Sequence, residues 1–137
     1  MLKPMSGEPT DSLEDFWSFY VREHLHPLNR ACHYAGTTMV IGTVATAAFT
    51  LNPAWLLLAP VVGYGPAWVG HFVFEKNKPA SFSHPLYSLR GDWVMWGKIA
   101  TGTMDAEVER YTREAVEAEE PHASNGASAV PVDATVN

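Results

Sequence analysis

The chain has 137 residues and a formal net charge of -6, with 15 acidic and nine basic side chains. This length accommodates one domain, and the acidic balance argues against nucleic-acid binding, which requires a basic face. A single cysteine, Cys32, excludes an internal disulfide. Residues 1–11 are polar, which predicts a flexible N-terminus without the apolar stretch of a secretion signal.

Residues 12–23 predict an amphipathic helix at the start of the domain. Ser12 is suited to cap its N-terminus. One apolar stripe runs along it at helical spacing, formed by Leu13, Phe16, Trp17 and Tyr20. Such a stripe is typical of a helix lying along a bilayer surface, and also of a helix packed on a soluble core. Pro27 predicts a break after this helix.

No charged residue occurs between Ala31 and Phe74. Because charged residues make up about a quarter of a soluble domain, so long a gap is typical of a chain inside a membrane. Two apolar segments, residues 34–51 and 54–74, fill the gap on either side of the turn signal Asn52-Pro53. The sequence therefore predicts an all-α membrane protein built on a transmembrane helical hairpin. The alternative is a buried helical pair in a soluble protein.

All nine lysines and arginines lie outside the predicted hairpin. The positive-inside rule then predicts that both termini are cytoplasmic. The host membrane would be the cytoplasmic membrane of a bacterium or the endoplasmic reticulum of a eukaryote. Glycines and prolines interrupt the second span, which indicates a site inside the protein, at Pro60, Gly63, Gly65, Pro66 and Gly70.

The rest of the chain is less apolar. Residues 75–92 predict a polar loop, and residues 93–104 predict a short C-terminal interfacial helix. That helix completes a membrane domain over residues 12–104. An acidic, solvated helix is predicted over residues 105–120, and a disordered tail over residues 121–137.

Histidines from both arms of the hairpin are predicted to meet. His33 and His71 each lie about 19 residues from the turn, so both sit roughly 28 Å from it along their helices. Asn29 and Glu75 arrive together about one turn further out. His24 can return to the same level after the break in the chain. Three imidazoles beside a carboxylate predict an open site for a first-row metal.

Other interpretations of the histidines stay open at this point. Each could bond a backbone carbonyl in a purely structural role, as in a non-catalytic membrane adaptor. Two of them could instead be axial ligands in a haem or electron-transfer module. His26 and His84 each precede a proline and rank lower as ligands, because they are suited to turns.

Two blocks of sequence carry a family resemblance. The first, His24 to His33, has the pattern H-x-x-P-x-N-x-x-x-H, and the second, Gly70 to Ala80, has G-H-x-x-x-E-K followed by Pro-Ala. With the helices between them they cover about residues 16–96. Together they resemble the small membrane family typified by the yeast 2-hydroxy fatty acid dioxygenase. This chain differs from the yeast type in being shorter, with one hairpin instead of more spans.

The resemblance implies an Fe(2+)-dependent dioxygenase that acts at a lipid bilayer. Its substrates would be dioxygen and a 2-hydroxy fatty acid, which α-oxidation shortens by one carbon. By matching position, His24, His33 and His71 are the implied iron ligands, and Asn29 and Glu75 are supporting catalytic residues. The length of the fatty chain, the number of metals and the oligomeric state stay open.

Cations near these blocks are candidates for binding the substrate. Lys76 and Arg90 could pair with the carboxylate of a fatty acid at the cytoplasmic face. The ordinary alternative is that they anchor the protein at the membrane surface under the positive-inside rule.

Overall fold

The computed structural model describes residues 12–119, which are helical, with no strand in that range. The predicted flexible N-terminus and the tail over residues 121–137 lie outside the described residues. Five α-helices follow in order: α1 (Leu13–Arg22), α2 (Pro27–Thr50), α3 (Ala59–Val69), α4 (Pro85–Ala100) and α5 (Met104–Glu119). The connecting turns are two 3₁₀ helices, Pro53–Leu58 and Ala80–Phe82, and one π-helical turn, Gly70–Glu75. The all-α prediction is confirmed.

Helix α1 forms where it is predicted, and its apolar stripe faces protein. The Ser12 hydroxyl accepts a hydrogen bond from the backbone N–H of Asp15 at 3.1 Å, which caps the helix. Phe16 and Tyr20 are buried, and α1 packs on α4 and α5. Phe16, Trp17 and Tyr20 of the stripe thus pack on a core, whereas Leu13 is exposed. The core consists of Phe16, Tyr20, Val21, Ala80, Met95, Met104 and Tyr111.

The predicted acidic helix is α5, and polar contacts hold it to the helices beneath. Glu107 accepts hydrogen bonds from Lys98 Nζ at 2.7 Å and from Trp17 Nε1 at 3.0 Å. The bond from Lys98, and then that from Trp17, lowers the pKa of Glu107. One carboxylate therefore joins α5 to both α1 and α4.

Helices α2 and α3 form a hairpin at the predicted turn. Leu51 ends α2 in the left-handed conformation with φ 50°, and Asn52 Oδ1 accepts from the Ala54 N–H at 3.0 Å. The two helices cross closely, since a Cβ added to Gly36 would lie 2.8 Å from the carbonyl oxygen of Gly63. Only glycine permits this approach of two backbones.

Two predicted boundaries differ from the structure. Helix α2 begins at Pro27 instead of near residue 34, because His26 caps it and proline is favoured in the first turn. The predicted loop over residues 75–92 is wrong in its last part, since α4 begins at Pro85. Pro27 predicts a break in the sequence, but both Pro27 and Pro85 in fact begin a helix.

One described segment, Pro53–Glu75, is long and apolar enough to cross a membrane. It has 23 residues, and only 17% of its most apolar window is buried inside the protein, so most of its surface is free to face lipid. Helix α2 is not such a segment. The structure therefore gives one candidate spanning helix, and a two-span hairpin with cytoplasmic termini stays a prediction.

The close crossing can be tested with two alanine substitutions on one helix. Gly36→Ala is expected to destabilise the protein by about 1–3 kcal/mol, because the new Cβ meets backbone instead of a flexible side chain. Gly42→Ala is the control, since a Cβ there has nothing within 4 Å. The control is expected to be neutral or to stabilise by up to about 1 kcal/mol. Denaturant unfolding in detergent measures both, and equal effects would contradict the crossing.

Candidate metal centre

Three buried histidines from three segments converge on one point. His24 follows α1, His33 lies in α2 and His71 lies in the π-helical turn, with exposed fractions of 1%, 5% and 2%. The Nε2 atom of His33 lies 3.1 Å from Nε2 of His24 and 3.1 Å from Nε2 of His71. All three ligand atoms lie within 4.8 Å of one another. The structure thus brings together the three predicted metal ligands.

The Nδ1 atom of His24 faces away from this point and meets a backbone carbonyl. It donates to the carbonyl oxygen of Tyr20, one helical turn earlier, at 2.6 Å. The Tyr20 ring also stacks on the imidazole, with centroids 4.0 Å apart. Burial lowers the pKa of His24 well below its ordinary value, so this imidazole is neutral.

The Nδ1 atom of His33 meets a carboxylate on α4. It donates to Asp92 Oδ1 at 2.8 Å, and the Tyr20 hydroxyl donates to the same oxygen. Burial raises the pKa of the Tyr20 hydroxyl, which keeps it protonated as a donor. Helix α4 reaches this position because Gly91 lies against the Tyr20 ring, where a Cβ would approach to 2.7 Å.

The Nδ1 atom of His71 meets a side-chain amide. It donates to Asn77 Oδ1 at 2.7 Å. The amide cannot be turned around, because its Nδ2 donates to the carboxylate and the carbonyl of Glu23 at 2.7 and 3.1 Å. Asn77 is in place because Lys76, at φ 60°, reverses the chain at the end of the π-helical turn.

These three bonds fix the tautomer of every imidazole in the cluster. Each Nδ1 carries the proton, so each Nε2 presents a lone pair to the other two. Three buried acceptors at such distances repel one another unless a cation lies between them. For metal–nitrogen bonds of about 2.1 Å, ligands at right angles are about 3.0 Å apart and tetrahedral ligands about 3.4 Å apart. The observed 3.1 Å fits a single metal ion with open coordination positions.

Glu75 and Asn29 lie outside this cluster and hold its supporting loop. The Glu75 carboxylate accepts from the backbone N–H groups of Leu25 and His26 at 3.0 and 2.8 Å, and from Asn29 Nδ2 at 3.1 Å. Asn29 packs against Gly70, where an added Cβ would lie 2.2 Å from its Oδ1. Their predicted role in catalysis stays a prediction. Their contacts fix the loop that carries His24.

The other predicted site residues also lie away from the three Nε2 atoms. Lys76 is exposed at the end of the π-helical turn, and Arg90 is exposed beside a groove between α1 and α4. Neither lines the histidine pocket, and their role as substrate contacts stays a prediction. His26 caps α2 and stacks on Phe74, and His84 precedes α4. The lower rank of His26 and His84 as predicted metal ligands agrees with these positions.

A pocket adjoins the histidines between α3 and α4. Tyr64 and Trp68 of α3 line one side of it, and Ser88 of α4 lines another. The turn at residues 79–81 closes the pocket between these helices. The lining is mostly aromatic and apolar.

Sequence reasoning missed four residues that build the site: Tyr20, Asn77, Ser88 and Asp92. Tyr20 had a signal, since it lies one helical turn before His24 on the same stripe. Ser88 and Asp92 also share a helix face, but that signal depends on knowing that α4 begins at Pro85. For Asn77 the sequence offers no signal, because the chain reversal at the preceding residue places it.

The fold and the site together define a small helical protein with one candidate membrane span and a buried three-histidine cluster suited to a metal. The sequence profile of the 2-hydroxy-palmitic acid dioxygenase Mpo1-like family matches residues 10–104, more than half of the chain. The chain belongs to this family, which confirms the resemblance found in its sequence. No curated protein and no solved structure matches it significantly.

The bond between Asp92 and His33 can be tested through metal affinity. Asp92→Asn is expected to weaken metal binding about 10- to 100-fold, because the neutral amide lacks the negative charge that makes the His33 imidazole a stronger ligand. Asp15→Asn makes the same change at an exposed position of α1 and is expected to leave affinity unchanged. Competition with a chromophoric chelator for Co(II) measures both. Equal affinities in the two variants would refute the role of Asp92.

Proposed function

We propose that this protein is an Fe(2+)-dependent dioxygenase that shortens 2-hydroxy fatty acids by one carbon. The observation that carries the proposal is the convergence of three buried imidazoles, each with Nδ1 bonded to a group outside the cluster and Nε2 turned toward the other two. Membership of a family described as 2-hydroxy-palmitic acid dioxygenases supports the reaction and the substrate class. Imidazole is a suitable ligand for iron.

His24, His33 and His71 would hold the iron and leave its remaining positions open. Bound iron would supply a site for the carboxylate and hydroxyl of the substrate together with dioxygen. Atoms and electrons balance when one 2-hydroxy acid and one dioxygen give the shortened acid, carbon dioxide and water. No side chain therefore has to act as a reductant.

The residues around the three histidines hold the imidazoles in one tautomer and shield them from water. Asp92 holds His33 in the correct tautomer, and its negative charge makes the imidazole a stronger ligand. Asn77 does the same for His71 without adding charge. Burial of all three rings limits access of water, which protects a reactive site from side reactions.

We further propose that the segment Pro53–Glu75 spans a bilayer and that the substrate reaches the site from it. Tyr64 and Trp68 lie on this segment and also line the histidine pocket. A fatty chain can thus lie along apolar surface while its polar head reaches the histidines. Large apolar side chains are exposed on this segment, as expected of a lipid-facing surface: Leu57, Val61, Trp68, Val69, Phe72 and Val73.

The geometry does not favour a haem module. Opposite axial ligands of one haem iron hold their nitrogens about 4 Å apart, with the macrocycle between them. Here the neighbouring Nε2 atoms are 3.1 Å apart and all three point to one centre. A non-catalytic adaptor is distinguished by experiment, because it requires neither bound iron nor oxygen consumption.

Iron content and oxygen uptake test the proposal. Detergent-purified protein reconstituted anaerobically with Fe(2+) is expected to hold about one iron per chain and to consume dioxygen with 2-hydroxyhexadecanoic acid. His33→Ala and His71→Ala are expected to lose both properties, because each removes one of three ligands. His84→Ala is the control outside the cluster and should keep both.

Circular dichroism establishes that the variants remain helical. A folded wild type that binds no iron would overturn the proposal and leave the adaptor. Bound iron without oxygen uptake on any 2-hydroxy acid would overturn the reaction and keep the metal site.

A further inference from the structure

The hydroxyl of Ser88 is buried without a partner. The residue is 4% exposed, and its Oγ makes no hydrogen bond to any residue of the described range. Buried polar groups are almost always paired, because an unpaired one costs about 1–3 kcal/mol. The hydroxyl of Ser88 is therefore a group that a ligand could satisfy.

Most threonine hydroxyls of α2 bond to the backbone of their own helix. Four threonines of α2 each donate to the carbonyl oxygen four residues earlier, at 2.7 or 2.8 Å: Thr38, Thr43, Thr46 and Thr50. Ser88 also lies within a helix but does not form this bond. The difference indicates that its side chain is turned toward something other than its own helix.

The space beside Ser88 is the histidine pocket. Ser88 lines this pocket together with His24, His33 and His71. It lies one helical turn before Asp92, which shares its face of α4 and holds His33. Ser88 thus lines the same pocket as the three histidines.

The substrate of the proposed reaction has an acceptor that suits this hydroxyl. A 2-hydroxy acid carries a carboxylate, and hydrogen bonds to an ionised acceptor are among the stronger ones. Neither Lys76 nor Arg90 lines the pocket, so a neutral donor is what its inner wall offers. The negative Asp92 also lies on this wall, where a hydroxyl can orient a carboxylate without adding charge.

We propose that Ser88 Oγ donates a hydrogen bond to the carboxylate of the bound 2-hydroxy fatty acid and fixes its orientation at the three histidines. This assignment rests on the proposed function and adds a residue that contacts the substrate. The acyl chain then lies along Tyr64 and Trp68, which also line the pocket.

The test compares Ser88→Ala with Ser83→Ala, which removes a hydroxyl from an exposed position outside the pocket. Three properties are measured: metal content, thermal unfolding without ligand, and anaerobic binding of 2-hydroxyhexadecanoic acid to the Co(II)-loaded protein by titration calorimetry. Ser88→Ala is expected to weaken binding of the acid about ten-fold or more, since the lost bond is to a charged group. Its metal content should not change.

Thermal unfolding separates a ligand contact from a structural role. Removing an unpaired buried hydroxyl should leave the midpoint unchanged or raise it. A lower midpoint or lost metal in Ser88→Ala would show that the residue is structural and would overturn the proposal. Unchanged binding of the acid would also overturn it, while the proposed function would stand. A wild type that holds metal but does not bind the acid would overturn both.

Discussion

Three hydrogen bonds from imidazole Nδ1 atoms turn the histidines toward one point, and the architecture around the site depends on them. The acceptors come from three different segments: the carbonyl of Tyr20 in α1, the carboxylate of Asp92 in α4 and the amide of Asn77 after the π-helical turn. With the imidazoles themselves, these bonds join α1, α2, α4 and the end of the candidate membrane span. The site can form only when all four elements are docked.

The convergence of the three histidines also lowers the stability of the protein when no metal is bound. Three buried lone pairs face one another, and each unsatisfied buried acceptor costs about 1–3 kcal/mol. A bound cation would remove that cost, so metal binding would be coupled to folding. The apolar core between α1, α4 and α5 offsets the cost from a separate part of the structure. The core therefore holds the imidazoles in position for the metal.

Much of the site could be predicted from the sequence because the two arms of the helical hairpin both start from a single turn, Asn52-Pro53. Equal numbers of residues from the turn place His33 and His71 near one level when both arms are helical, and this holds although the second arm begins as a 3₁₀ helix and ends as a π-helical turn. His24 could be assigned because the chain reverses near Pro27. The fold class followed from composition, since the long charge-free run permits only buried or membrane-facing helices.

The position of Glu75 shows the limit of predicting contacts from helical spacing alone. Spacing of four residues predicts that Glu75 shares a helix face with His71, and this holds for an α-helix. Here the segment is a π-helical turn, whose hydrogen bonds span five residues, so the two side chains diverge. Glu75 then binds the loop before α2, and Asn77 takes the place beside His71. A wider turn of this kind is set by tertiary contacts, such as the packing of Gly70 on Asn29.

The role of Asp92 could not be predicted from the sequence for a related reason. Its role requires that α4 begin at Pro85 and approach α1 closely at Gly91, which no local pattern reveals. Ser88 depends on the same docking. The three histidines are thus placed by local helical geometry, whereas Asp92 and Ser88 are placed by packing between helices distant in sequence.

The most direct test of the three-histidine centre is X-ray absorption at the iron edge of the anaerobic Fe(2+)-loaded protein. The proposed function predicts one iron with three imidazole nitrogens, at roughly the 2.1 Å of other metal–histidine bonds, and with lighter oxygen ligands at the open positions. Loss of imidazole scattering in His33→Ala would confirm the source of the ligands. A wild-type spectrum without imidazole scattering, or with a sulfur ligand or a macrocycle, would contradict the account.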